Sequence, residues 1–79
     1  MKKLYRIYYT VYDDDLHVKI INAIKERYNV EIVDHRSRVH PEFRFIEVYT
    51  ETEGLEEELR DLVKSMAGSM YVRVDWINV

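Results

Sequence analysis

No cysteine occurs in the 79 residues. That excludes disulfides, thiolate nucleophiles and cysteine-ligated zinc, and it leaves the redox compartment open. Glycine appears twice, as Gly54 and Gly68, so no glycine-rich loop is present to cradle a phosphate. No apolar run comes near the ~18 residues of a membrane-spanning helix. The opening MKKLYRIYYTV carries two lysines, but Arg6 and Thr10 break its apolar run, which argues against a secretory leader. A soluble, cytoplasmic protein with no membrane partner is the expectation, and it rests on these missing signals alone.

What is present suits one small globular domain spanning residues 1–79. The apolar fraction is 47%, enough for a core. At this length a single core supplies only a few kcal/mol, so every helix stripe and strand face has to be used. The net charge of −3 argues against a dedicated nucleic-acid binder, whose domain is usually basic. The charge is uneven, however. Six acids and only Arg60 lie between Glu51 and Asp61, while His35 to Arg44 holds three Arg and two His against Glu42. This contrast reads as a solvated helix face beside a basic loop, or as a local binding patch.

The periodicities define six elements. Residues 3–12, KLYRIYYTVY, alternate as a strand with Tyr5, Ile7, Tyr9 and Val11 inward and Leu4, Arg6, Tyr8, Thr10 and Tyr12 outward. Asp13, Asp14 and Asp15 mark a helix start, capping free N–H groups and facing the positive end of the dipole. Leu16, Ile20, Ile24 and Tyr28 form the buried stripe of that helix, with His17 on its surface and Asn29 at a left-handed exit. Residues 30–38 predict a second strand, with Val30 and Ile32 inward and Glu31, Val33 and His35 outward. Pro41, the single proline, stops it from running through the turn at 39–41.

Residues 43–51 predict a third strand, with Ile46 and Val48 inward on the parity of Arg44, and Phe43, Phe45, Glu47 and Tyr49 outward. Thr50 and Glu53 match a capping box, with Thr52 as the competing cap. Leu55, Leu59, Leu62, Val63 and Met66 then form a second helical stripe, and Gly68 stops it. Residues 70–79 predict the last strand, with Val72, Val74 and Trp76 inward and Tyr71, Arg73, Asp75 and Ile77 outward. The order βαββαβ with short connections is the ferredoxin-like α+β arrangement: a four-stranded antiparallel sheet with two helices packed on one face.

The other face of that sheet has no element left to cover it. It is expected to carry Arg6, Tyr8, Tyr12, Val33, His35, Phe43, Phe45, Tyr49, Tyr71 and Arg73. Tyr8, Phe43 and Phe45 lie on the two central strands, with Arg6, Arg36, Arg38 and Arg73 at the rim, and these seven are the candidate contact residues. A monomer rarely exposes so much contiguous aromatic surface without a use for it. Aromatics at the centre and charges at the rim are ordinary interface composition, which favours self-association or a protein partner.

The run Phe43-Arg44-Phe45-Ile46-Glu47-Val48, with Ile7-Tyr8-Tyr9 on the first strand, resembles the RNA recognition motif. That resemblance implies single-stranded RNA or DNA as partner, the aromatics stacking bases and Arg36 and Arg38 contacting phosphates. Glu42 and Arg44 stand where that family has its glycine and small residue. The topology is also similar to amino-acid-binding (ACT) domains and to a nickel-sensing repressor domain, which usually pair through strands or sheets. Asp13-Asp14-Asp15 replaces the glycine-bearing turn of those families. A transcription-elongation domain of the NusG type shares the element order, without its glycines here.

No catalytic site, metal site or cofactor is expected. His35 and His40 are two possible metal donors where three or four are needed. Nothing orients Ser37 against a histidine or supplies an oxyanion site, and the basic, glycine-flanked loop of acylphosphatases is missing. Economical capping and tight connections also suit an engineered scaffold without an evolved function, although scattered His and Asn and seven tyrosines look more natural.

Overall fold

Four strands and two helices follow one another in the expected order in a computed structural model, which describes residues 2–36, 39–68 and 71–79, Arg36 by its backbone only. The elements are β1 (Lys3–Thr10), α1 (Asp14–Tyr28), β2 (Glu31–Arg36), β3 (Phe43–Thr50), α2 (Glu56–Ala67) and β4 (Val72–Asn78). The strands form one antiparallel sheet in the order β2-β3-β1-β4. This is the ferredoxin-like fold, with β1 and β3 at the centre.

The inward phase of every strand is as the alternation predicts. Tyr5, Ile7, Ile46 and Val48 are fully buried, and Ile20, Ile24, Leu59 and Val63 of the helices close over them. Asp13 caps α1, its Oδ1 accepting from the Asp15 N–H at 2.9 Å. Asn29 at φ 51° and Gly68 at φ 64° end the helices in the left-handed conformation.

Three expectations about the strands need correction. β1 ends at Thr10, not Tyr12, because the Asp13 cap makes the chain turn at once; Val11 still donates its N–H to the Glu42 carbonyl at 2.9 Å. Leu4 has the parity of the open face but is buried, since it lies on a central strand flanked in register by Tyr49 and Ile77. Trp76 has inner parity but is 44% exposed, because β4 is an edge strand and no element lies beyond it among the described residues.

The start of α2 departs furthest from its expected chemistry. The Thr50–Glu53 capping box does not form: the N-cap is Leu55, without a side-chain cap. Thr50 Oγ1 instead accepts from the nearby Thr52 N–H at 3.2 Å. The missing function is taken over from the sheet. The Tyr5 hydroxyl accepts from the Leu55 N–H at 3.3 Å and donates to the Thr52 carbonyl at 2.9 Å. A β1 side chain thus satisfies two backbone groups at the helix entrance. Tyr5→Phe is expected to lower the unfolding free energy by about 1–2 kcal/mol, the cost of leaving those groups unpaired. Urea denaturation measures it; an unchanged midpoint would show that water replaces the hydroxyl.

Candidate functional site on the open sheet face

Cross-strand register sorts the uncovered face into rows. One row runs His35–Phe45–Tyr8–Arg73 across β2, β3, β1 and β4; the next runs Val33–Glu47–Arg6–Asp75. In the first row the rings are stacked. Tyr8 and Phe45 have centroids 4.7 Å apart and planes 4° apart, and His35 lies 4.8 Å from Phe45 at 18°. Rings lying flat beside one another cannot come this close, and the spacing equals that of the strands themselves. The rings therefore stand upright on the sheet, with faces against each other and edges to solvent. The Arg73 guanidinium ends the row, its Cζ 6.0 Å from the Tyr8 centroid.

The second row holds the charges. Glu47 accepts from Arg6 Nε at 3.4 Å and also pairs with His35. Arg73 pairs with Asp75 at 3.2 Å, and that bonded carboxylate holds the guanidinium above its already high range. Beyond the aromatic row, Tyr8, Thr10, His35, Phe43, Phe45 and Tyr71 help to line an open cleft of ≈ 570 Å³. Phe43 is about half exposed, with the His40 ring tilted against it at 5.3 Å.

Of the seven candidate contact residues, Tyr8, Phe43 and Phe45 line one cleft, and Arg6 and Arg73 flank the ring ladder. Arg38 and the side chain of Arg36 lie outside the described residues. Both described rim arginines are matched by carboxylates, Glu47 and Asp75, which the sequence did not associate with them.

His17, expected on the surface of α1, and Arg44, which has the parity of Ile46 and Val48, are buried on the opposite side of the sheet. His17 is 1% exposed, not a surface residue of α1. The Tyr9 hydroxyl donates to its Nδ1 at 2.7 Å and its Nε2 donates to Asp34 Oδ1 at 3.0 Å, a tautomer assigned from the partners. Burial pushes the Tyr9 hydroxyl well above the usual tyrosine range; the Asp34 charge adds to this and Arg44 opposes it. Arg44 is also buried, with Nε donating to the Val11 carbonyl at 2.9 Å and Nη2 to Asp14 at 2.8 Å. Both groups tie α1 and its entrance to the sheet. Sequence signals for them existed: His17 lies three and seven residues before Ile20 and Ile24, and Asp34 and Arg44 share inner parity with Ile32 and Ile46.

Among the described residues no group of three or more His, Asp or Glu converges as a metal site, and no helix is long and apolar enough to cross a membrane. No protein-family model matches the chain, and neither does any curated protein. Solved structures with the same fold do. A divalent cation tolerance protein (Cut A1) from Thermus thermophilus is 18% identical, with a TM-score of 0.65 over all of this chain and 84% of that one. The periplasmic divalent cation tolerance protein CutA from Archaeoglobus fulgidus is 20% identical at TM-score 0.64, over the same shares. The de novo designed protein Foldit4 is 16% identical at TM-score 0.65, over 99% of this chain and 96% of that one. At these identities the likeness is one of fold: natural and designed sequences alike adopt this βαββαβ arrangement.

Proposed function

We propose that the chain is a non-enzymatic binding module whose working surface is the open sheet face, and that its partner is a protein surface, in the first place a second copy of itself. The observation that carries this reading is the upright ladder His35–Phe45–Tyr8 on a face that no element covers among the described residues. Stacked rings present a rigid apolar ridge at little entropic cost, which is what a packed interface uses. The neighbouring row carries Arg6 and Arg73 against Glu47 and Asp75, so the face holds both signs side by side and can complement its own copy.

A base-stacking platform fits less well. Stacking a base requires an exposed ring face, whereas both faces of Phe45 are taken by Tyr8 and His35. The described rim arginines are matched by acids, and the chain carries −3 overall. Divalent cations are named for two of the structural neighbours; this chain's described residues supply no cluster to hold one.

Light scattering behind a sizing column at two protein concentrations is the first test. Phe45→Ala is expected to weaken association by about tenfold or more while costing only about 1–2 kcal/mol of fold stability, the scale of lost ring pairs. A stability loss on the scale of core Phe truncation, about 3–5 kcal/mol, would make Phe45 a folding residue. Salt-sensitive binding of short single-stranded RNA, read by anisotropy, would replace the protein partner with nucleic acid. A monomer that binds neither would favour an inert scaffold.

A further inference from the structure

Among the described residues β4 lies at one end of the sheet, with nothing hydrogen-bonded to its outer side. The register sets Lys3 opposite Asn78, and one step further Val79 donates its N–H to the Lys2 carbonyl at 3.0 Å. Bonded pairs alternate along an antiparallel ladder, so Val79, Ile77, Asp75 and Arg73 turn their N–H and C=O groups toward β1. Val72, Val74, Trp76 and Asn78 turn theirs outward. Among the described residues β4 ends the sheet, and of the usual safeguards of an exposed edge it has the charges Arg73 and Asp75 but no proline, no lysine and no inward-pointing charge. Apolar side chains collect there instead, with Tyr71, Trp76, Ile77 and Val79 all more than 40% exposed.

We infer that two copies of the chain join antiparallel through β4, about a two-fold axis at Val74, into one continuous eight-stranded sheet. In that register Val74 faces its own copy and Val72 faces the partner subunit's Trp76, and these positions exchange the outward backbone bonds. On the open side Arg73 falls directly opposite the partner's Asp75, and Asp75 opposite the partner's Arg73. These are the non-bonded pairs of the ladder, where side chains approach closest. Each guanidinium then lies between its own Asp75, already 3.2 Å away, and that of the partner subunit, so charges alternate around a square. Tyr71 falls opposite the partner's Ile77.

The registers one residue to either side are poorer. An axis at Asp75 or Arg73 sets like charges face to face. On β2, an axis at Asp34 does the same, and one at Val33 sets Ile32 against a carboxylate. The backbone bonds of this pairing use the edge, whereas the Arg73–Asp75 pairs lie on the open side, so Val74→Pro, which leaves that face unchanged, separates an edge contact from a face contact.

Sedimentation over a wide concentration range, followed with the emission of Trp76, the single tryptophan, tests this. A concentration-dependent dimer with blue-shifted emission is expected. Arg73→Asp and Asp75→Arg alone should each weaken it about tenfold or more, since like charges then stand opposite one another twice. The double exchange Arg73→Asp/Asp75→Arg restores opposite signs and should restore the dimer. Val74→Pro removes an outward N–H but no bond to β1, so it should abolish pairing while the thermal melt remains cooperative. Thermal melts of all variants separate lost pairing from lost folding. A wild-type chain of monomer mass at every concentration overturns the proposal. So does a dimer indifferent to both charge reversals and lost in Phe45→Ala, which would place the contact on the open face.

Discussion

His17→Ala is expected to lower the free energy of unfolding by about 3–4 kcal/mol, the scale of a buried truncation that also strands a polar group. The imidazole is buried between α1 and the sheet and satisfies the Tyr9 hydroxyl from one nitrogen and Asp34 from the other. Without it the Tyr9 hydroxyl faces a cavity. Asp34 is a third exposed and turns to water, so its share of the loss is small. Tyr9→Phe alone should cost about 1 kcal/mol, the net worth of one hydrogen bond, and the double variant less than the sum, because both singles remove the same bond. Urea titrations of the four proteins measure the cycle. An additive cycle would mean that the ring acts only by filling space.

The same chain of bonds sets an alkaline limit. The Tyr9 hydroxyl titrates higher in the folded protein than in the unfolded chain, chiefly because it is buried. The folded state then holds its proton more tightly. The resulting stability is complete below the ordinary tyrosine range near ~10 and is lost as pH rises through the higher folded value. Tyr9→Phe should flatten the fall in stability above that pH; an unchanged slope would assign it to other tyrosines.

Arg44→Met is expected to cost about 2–3 kcal/mol, most of it from the stranded Val11 carbonyl. The Asp14 partner is 70% exposed, where water screens the charge, so the ion pair itself contributes little. Two consequences separate these contributions. Asp14→Asn should change stability far less than Arg44→Met, and raising the ionic strength should leave the difference between wild type and Arg44→Met nearly unchanged. Arg44→Lys should not rescue, because one ammonium cannot reproduce donors directed at a carbonyl and a carboxylate from a planar fork. Strong salt dependence would give the ion pair the larger role.

These residues mark where reading the chain stops working. Tyr5, Ile7, Ile46 and Val48 were legible as core because strand alternation is a local property of the sequence. The same holds for the helical stripes and for the Asp13 and Gly68 ends, and hence for the element order. The aromatic face followed from parity alone, since Tyr8 and Phe45 share the side opposite Ile7 and Ile46. Helix and strand periods do not say which polar group meets which. His17, Asp34 and Tyr9 come from three elements, and the bond that replaces the α2 cap joins Tyr5 to a residue 50 positions away.

By itself, then, the sequence determined the six elements, their inward faces and the presence of an uncovered aromatic side, because each depends on neighbours a few residues apart. Tertiary structure decided what those faces do. It set the rings upright by placing them one strand spacing apart, exposed Trp76 by leaving β4 at the edge, and buried Leu4 by putting Tyr49 and Ile77 on either side of it. Each of these depends on which strand lies beside which, a distance in space that chain separation does not encode.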